Sequence, residues 1–498
     1  MRTPPAPKFE LNQELTAATL GRVDALDALI ILLPESALQK HWPDFPYADR
    51  LKKQHTAGKE LPAPRRVDLP NARATAAVVA FVKHRASAFE QLTLARKILE
   101  KALESEPHHI GVLTPGLNPA QQESATEALV AAMAAAAFKP PAFKSSMHAK
   151  TLPASLTLLG IAKKMDFSRT LAAAEGNALA RWLTLLPANK LTPADYRAYA
   201  TTLAKREGWK FRFLGERRLS KYKAGAFLAV AQGSDSRDAG IAHLSYVPAK
   251  KQVPKAVALV GKGICYDTGG VNLKTAKSMF GMHGDMQGSA VALGTLLALS
   301  RLRVPFRVDC WLAMARNQIG PKAYTQNDVI SASNGVTIEI VHTDAEGRMV
   351  LADTLALASK SEPVLLLDYA TLTGSCVTAL GTRYSGAFCN QAALQAPVRD
   401  AGQTSGERVW PFPVDADYDE ALQSEVADVK QCIIEGEADH ILAARFLSRF
   451  VPATLPWVHI DLSASEHKGG LGHVPGNVTG FGVRFSLNLL LDQGLLPK

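Results

Sequence analysis

The sequence predicts an α/β protein in two parts. A small N-terminal α/β domain (residues 1–165) is joined by a linking helix (166–190) to a larger C-terminal α/β domain (191–498) with a mixed central sheet flanked by helices. Three observations carry this. Short apolar runs alternate with longer amphipathic or Ala-rich stretches, the pattern of strands and helices in turn. At 498 residues the chain is too long for one ordinary core. In the second half only, charged residues gather where apolar runs give way to loops, the ligand-binding edge of an open α/β sheet.

The elements follow in order. Residues 1–20 read as a lead-in. Ala25–Leu33 is a buried strand stopped at Pro34, and the Pro- and charge-rich stretch from His41 to Pro70 reads as mostly loop. Ala74–Val82 is a strand. Ser87–Leu103 is a helix with an apolar face of Phe89, Leu92, Leu94, Ile98 and Leu99. His109–Leu113 is a strand, Pro119–Phe138 an Ala-rich helix and Leu152–Ile161 a fourth strand. No convergent set of polar residues marks this part as catalytic. Phe167–Leu186 is the linking helix, ended by the two prolines of Leu185–Pro193.

The larger part continues with a helix (Ala194–Glu207), a strand (Lys210–Leu214) and the apolar run Phe227–Ala231 leading to Gly233. Val257–Gly261 is a strand that delivers Lys262, with a turn at Asp267–Gly270. Asp285 precedes a helix over Gln287–Leu302, where capping its N-terminus is the simplest role for that carboxylate. Strands over Phe306–Ala315 and Val336–Val341 come next. Thr343–Arg348 is a loop, Met349–Lys360 a helix, and Val364–Tyr369 a strand running into Ala370–Gly374.

Composition narrows the function. Hydrophobic residues make up 47% and charged residues 20%, as in soluble globular proteins. Apolar runs such as Leu129–Phe138 are too short to span a bilayer, and the N-terminus lacks the apolar core of a secretory signal. The five cysteines form no CxxC pair, which favours reduced thiols and a cytoplasmic location. The net charge of +10 is weighted to the first 170 residues, with 22 Lys and Arg against 16 Asp and Glu. Clusters such as Lys52-Lys53 and Arg65-Arg66 leave DNA contact open, but a solvated basic surface is the simpler reading.

The chemistry concentrates between Val260 and Arg348. Lys262 follows an apolar run, where an unpaired ammonium is costly. Asp267, Asp285, Asp344 and Glu346 are four carboxylates that would repel one another if gathered without cations between them. Hard oxygen donors suit Mg, Mn or Zn, and a site this acidic suits two divalent ions better than one. Nearby cations would favour the neutral amine of Lys262 as a further ligand. Lys274 and Arg348 remain as positive groups for a developing oxyanion.

The stretch resembles the leucyl aminopeptidase (cytosol aminopeptidase) family of metallopeptidases. Gly261-Lys-Gly-Ile-Cys-Tyr-Asp-Thr-Gly-Gly270 and Thr343-Asp-Ala-Glu-Gly-Arg348 are similar to its two most specific motifs, and likeness extends over roughly residues 170–490. The resemblance implies peptide substrates, a homohexamer and two divalent ions, Zn, Mn or Mg. One would be held by Asp267, Asp344 and Glu346, the other by Lys262, Asp267, Asp285 and Glu346. It implies Lys274 at the oxyanion and Arg348 positioning a bicarbonate proton shuttle. It also implies that Met282, Thr371 and Gly374 line the pocket for the first side chain. Ligand retention weighs against the alternative of a non-catalytic structural or DNA-binding homologue.

The chain departs from the family pattern in three places. Arg316-Asn317 and Thr325-Gln-Asn-Asp328 replace an acidic and Pro-Gly-containing segment, and His342 stands where Asn is common. In the late segment, Ser463, Ser465 and Glu466 stand where leucine-preferring members carry small or apolar residues. A carboxylate at the pocket mouth would attract Lys or Arg side chains, unless Glu466 turns away into Lys468–Gly472. The expectation is a broad specificity, with basic or polar first residues cleaved comparably with Leu.

Overall fold

Aliphatic runs too short for helices become strands buried on both faces, and the amphipathic stretches between them cover those faces. The computed structural model describes residues 8–39, 42–54, 61–145, 152–249 and 253–496. It divides into two compact units. One comprises residues up to Ala174 together with Gly469–Gly476, and the other Glu175–Lys468 with the residues from Asn477 onward.

In the first unit, β1 (Glu10–Glu14), β2 (Ala28–Pro34), β3 (Arg65–Asp68), β4 (Ala76–Val82), β5 (His109–Leu113) and β6 (Ser155–Leu159) form one sheet in the order β1-β6-β5-β2-β4-β3. Only β3 runs antiparallel to its neighbour. Helices Ala88–Ala102 and Pro119–Ala136 begin at capping boxes made by Ser87 with Glu90 and Asn118 with Gln121. The lead-in and the stretch after His41 were expected to be irregular, yet they supply β1, helix Ala48–Lys53 and β3. These are polar pieces, and β1 and β3 are edge strands ordered by pairing along a neighbour's backbone, which an apolar pattern does not reveal. Lys52-Lys53 and Arg65-Arg66 lie on them. Gly469–Gly476 joins this unit through Arg96, which donates to the carbonyls of Gly472 (3.0 Å) and Gly469 (3.1 Å).

The second unit is built on an eight-stranded mixed sheet: β7 (Lys210–Gly215), β8 (Gly240–Tyr246), β9 (Val253–Asp267), β10 (Phe306–Asn317), β13 (Leu365–Ala370), β14 (Ser385–Cys389), β15 (Val409–Phe412) and β17 (Trp457–Asp461). Its order is β15-β14-β17-β13-β9-β10-β8-β7. The central four, β17, β13, β9 and β10, are parallel, so Asp461, Ala370, Asp267 and Asn317 end at one edge. Short strands β11 (Val329–Ser331), β12 (Thr337–Glu339) and β16 (Val429–Lys430) make a separate small sheet.

The apolar run Phe227–Ala231 lies in the helix Gly225–Ala231. Three details differ from the expected elements. β9 is one long strand, so Lys262 sits within it rather than after it. The strand expected over Val336–Val341 is only Thr337–Glu339. The helix expected from Met349 begins at Glu346, so Glu346 and Arg348 lie in a first helical turn and not in a loop.

Two helices fix what faces β9. A Cβ on Gly261 would stand 2.4 Å from Ser289 Cα, so the Gln287–Arg301 helix lies directly against that face. Alternation along the strand sends Lys262 to the other face. There, a Cβ on Gly347 would stand 2.7 Å from Lys262 Nζ, so the Glu346–Ser359 helix packs on the lysine stem. The glycines around Lys262 thus record two close approaches. All five cysteines are free and buried. Among the described residues no helix is long and apolar enough to cross a membrane.

Candidate metal centre

The carboxyl ends of the parallel strands bring together the residues that the sequence marks between Lys262 and Glu346. Lys262 is buried, with Nζ 2.9 Å from Asp285 Oδ2, 3.0 Å from Glu346 Oε1 and 2.9 Å from the carbonyl oxygen of Thr371. Lys274 Nζ stands 3.0 Å from Asp267 Oδ2 and 2.6 Å from Asp344 Oδ1. Asp267, Asp344 and Glu346 each offer an oxygen within 4.8 Å of the others. Asp285 does not cap the following helix. Its Oδ1 accepts from Thr371 Oγ1 at 2.7 Å, and the cap position is Met286.

The electrostatics are those of crowded negative charge. Burial, then the Asp267 charge, push Glu346 up to about 8 against the pull of Lys262. Burial likewise raises Asp285, to about 6, and Asp344. Burial opposes the charge on both lysines, but the surrounding carboxylates outweigh it and hold both as ammonium ions. Asp285 Oδ2 and Asp344 Oδ1 lie at ion-pair distance from a lysine, yet both are buried and accept no well-directed hydrogen bond. Oxygen donors with unused lone pairs and raised pKa values fit divalent cations, and the donor set is hard.

Arg348 is placed differently. Its Nη2 pairs with both oxygens of Asp439 (2.9 and 3.1 Å), Nη1 donates to the carbonyl of Gln431, and Nε is buried with no acceptor. It lines a second cavity of about 340 Å³, shared with Lys274, Asp344, Glu346 and Gly374. Met282, Thr371, Gly374 and Glu466 line the main cavity, about 380 Å³, together with Lys262, Asp267, Lys274, Asp285, Asp344 and Glu346.

Several positioning groups escaped the sequence reading. Asn317 Nδ2 donates to Asp267 Oδ1 (2.9 Å) and to the Thr343 carbonyl (3.0 Å), with Glu346 Oε2 at 3.4 Å. His342 Nδ1 accepts from the Asp344 amide at 3.2 Å. Asp461 accepts from the amides of Leu372 and Thr373 and from Thr373 Oγ1 at 2.6 Å. It thereby holds the loop whose Thr371 touches both Lys262 and Asp285. No sequence signal marked Asn317: its place at the end of the strand beside β9, opposite Asp267 in register, is seen only in the fold. Replacing Asn317 by Ala should weaken metal binding about 10- to 100-fold, the usual scale for losing a partner behind a ligand. Metal titration followed by calorimetry would show it, and an unchanged affinity would remove Asn317 from the site's support.

A parallel-sheet edge carrying four carboxylates and two lysines in one cavity defines a metal-dependent hydrolase of α/β fold. Residues 178–487 match the catalytic domain of the cytosol aminopeptidase family. A probable cytosol aminopeptidase of Prochlorococcus marinus is 37% identical over 418 residues, 82% of each chain. One from Acidovorax sp. (strain JS42) is 41% identical over 334 residues, covering 67% of this chain and 66% of its own. Among solved structures, a mutant of tomato leucine aminopeptidase superposes with a TM-score of 0.84 at 27% identity, covering 98% of both chains. The bottromycin maturation enzyme BotP in complex with Mn gives 0.79 at 29% identity, covering 94% of this chain and 99% of its own. The chain belongs to the cytosol aminopeptidase family, and it is a metal-dependent aminopeptidase.

Proposed function

We propose that the protein removes N-terminal residues from peptides at a centre of two divalent ions. The observation that carries this reading is the convergence of Asp267, Asp285, Asp344, Glu346, Lys262 and Lys274 on one cavity of about 380 Å³. Asp267, Asp344 and Glu346 would hold one ion, and Lys262, Asp267, Asp285 and Glu346 the other, with Zn, Mn and Mg all compatible with the oxygen-rich set. When bound, such a pair supplies a nucleophilic water at neutral pH and polarises the scissile carbonyl.

The chain's own groups do the rest. The Lys262–Asp285 side receives the substrate's free α-amine, which makes the enzyme an exopeptidase. Lys274, at the cavity wall, presents its ammonium to the oxyanion that develops on the attacked carbonyl. Thr371 and Gly374, on the loop anchored by Asp461, and Met282 flank the first side chain. Arg348 is oriented by Asp439, and its unused Nε suits a small anion such as bicarbonate, which would supply a route for protons. A homohexamer and a cytoplasmic location belong to the same proposal on family resemblance. No observation favours a non-catalytic or DNA-binding role instead.

The test is a panel of aminoacyl amides after chelation and restoration with Mn, Zn or Mg. Restored enzyme should cleave amides with a free α-amine and leave their N-acetyl counterparts intact. Equal cleavage of both would show that the amine is not read, and the exopeptidase assignment would fall.

A further inference from the structure

The wall of the main cavity farthest from conventional apolar lining is Glu466. Its Oε1 accepts from Gln287 Nε2 at 3.4 Å, and a Cβ on Gly284 would stand 3.6 Å from that oxygen. The carboxylate therefore lies against the segment that carries Asp285 and is not turned into the Gly-rich stretch after Lys468. Glu466 is exposed, and among the described residues no Lys, Arg or His forms an ion pair with it. Phe280, 92% exposed and next to the turn at Gly281 with φ +94°, lines the same cavity. Met282 and Val377 line the wall with it. A nearly bare aromatic face and a free carboxylate share this cavity with the thioether of Met282.

We infer that this cavity selects substrates whose first residue is Arg or Lys, with Glu466 and Phe280 as the specificity-determining residues. This rests on the aminopeptidase reading and names the substrate class of that site. The physical match is to a long side chain that is apolar along its stem and cationic at its tip. The stem covers Met282 and Val377, as lysine and arginine stems commonly cover apolar surface. The tip meets the Glu466 carboxylate and the face of Phe280, both of which attract cations. A leucine side chain uses neither and leaves the carboxylate beside a dehydrated apolar group. Gln287 offers the carboxylate one long hydrogen bond, 3.4 Å, on the cavity side.

The test uses the metal-loaded enzyme and kcat/KM for Arg-, Lys-, Leu- and Met-amides. Wild type should cleave Arg and Lys at least as well as Leu. Glu466→Gln should lower the Arg/Leu ratio about tenfold, and Phe280→Ala about threefold, the ranges expected for a partly exposed ion pair and an exposed cation–π contact. Raising salt should lower the ratio in wild type and change it less in Glu466→Gln, since only the charged wall is screened. Titration calorimetry with free arginine and free leucine should show tighter binding of arginine. A Leu preference of about a hundredfold over Arg, or a ratio unmoved by both substitutions, would overturn the inference while leaving the aminopeptidase reading intact. Cleavage of no amide at all would overturn both.

Discussion

Glu346→Ala is expected to lose metal and peptidase activity together. Glu346 faces both sides of the cluster: its Oε1 lies 3.0 Å from Lys262, and its carboxylate belongs to the group of three with Asp267 and Asp344. Removing it leaves each proposed ion under-coordinated. The metal-free fold should tolerate the change, because this buried carboxyl is held against its own solvation and against the Asp267 charge. The sign follows from the raised pKa. Stability linked to its protonated form is present below the ordinary glutamate range and is lost as pH rises through about 8. Between the ordinary glutamate range and pH 9 the metal-free variant should therefore lose less stability with rising pH than metal-free wild type does. What it should lack is the rise in Tm on adding Mn or Zn, which at a hundredfold excess over Kd is worth about 2.7 kcal/mol in wild type. Elemental analysis that finds two ions per chain in an active variant would sink the assignment. Asp344→Ala should behave alike in metal content, though more mildly in stability, since Asp344 is less buried.

How much of this could be read without coordinates depends on where each residue's partners lie in the chain. The buried strands β2, β4, β5 and β13 were visible because each is a continuous aliphatic run. Edge strands β1 and β3 were not, since their order comes from a neighbour. The residues from Lys262 to Glu346 stood out as charges beside apolar runs and glycines, and the fold brings them to one cavity. Asn317 and Asp461 did not stand out, because a neutral or single polar residue at a strand end has many structural uses. Only the parallel order β17-β13-β9-β10 shows that both end at the same edge as Asp267. Arg348 was legible as a charge but not as a partner of Asp439, ninety-one positions away.

Lys274→Ala should lower kcat by roughly two to three orders of magnitude, the scale of losing one oxyanion donor, while both ions are retained. The sequence already separates the two lysines, since only Lys262 follows directly on an apolar run. Their surroundings separate them further. Lys262 is sealed between β9 and the Glu346–Ser359 helix, with Nζ spent on Asp285, Glu346 and the Thr371 carbonyl. It touches two carboxylates that would face the same ion, and cations there would displace its proton and recruit the amine. Lys274 is partly exposed at the cavity wall and bridges Asp267 and Asp344 from the solvent side. It also lines the adjoining cavity with Arg348. Lys262→Ala should consequently weaken one of the two ions, seen as a drop toward one metal per chain after dialysis, and excess metal should recover part of the activity. Excess metal should do nothing for Lys274→Ala, whose defect lies in the chemical step. Should the two variants show the same metal content and the same response to added metal, the division of labour between these lysines would be wrong, even if both proved inactive.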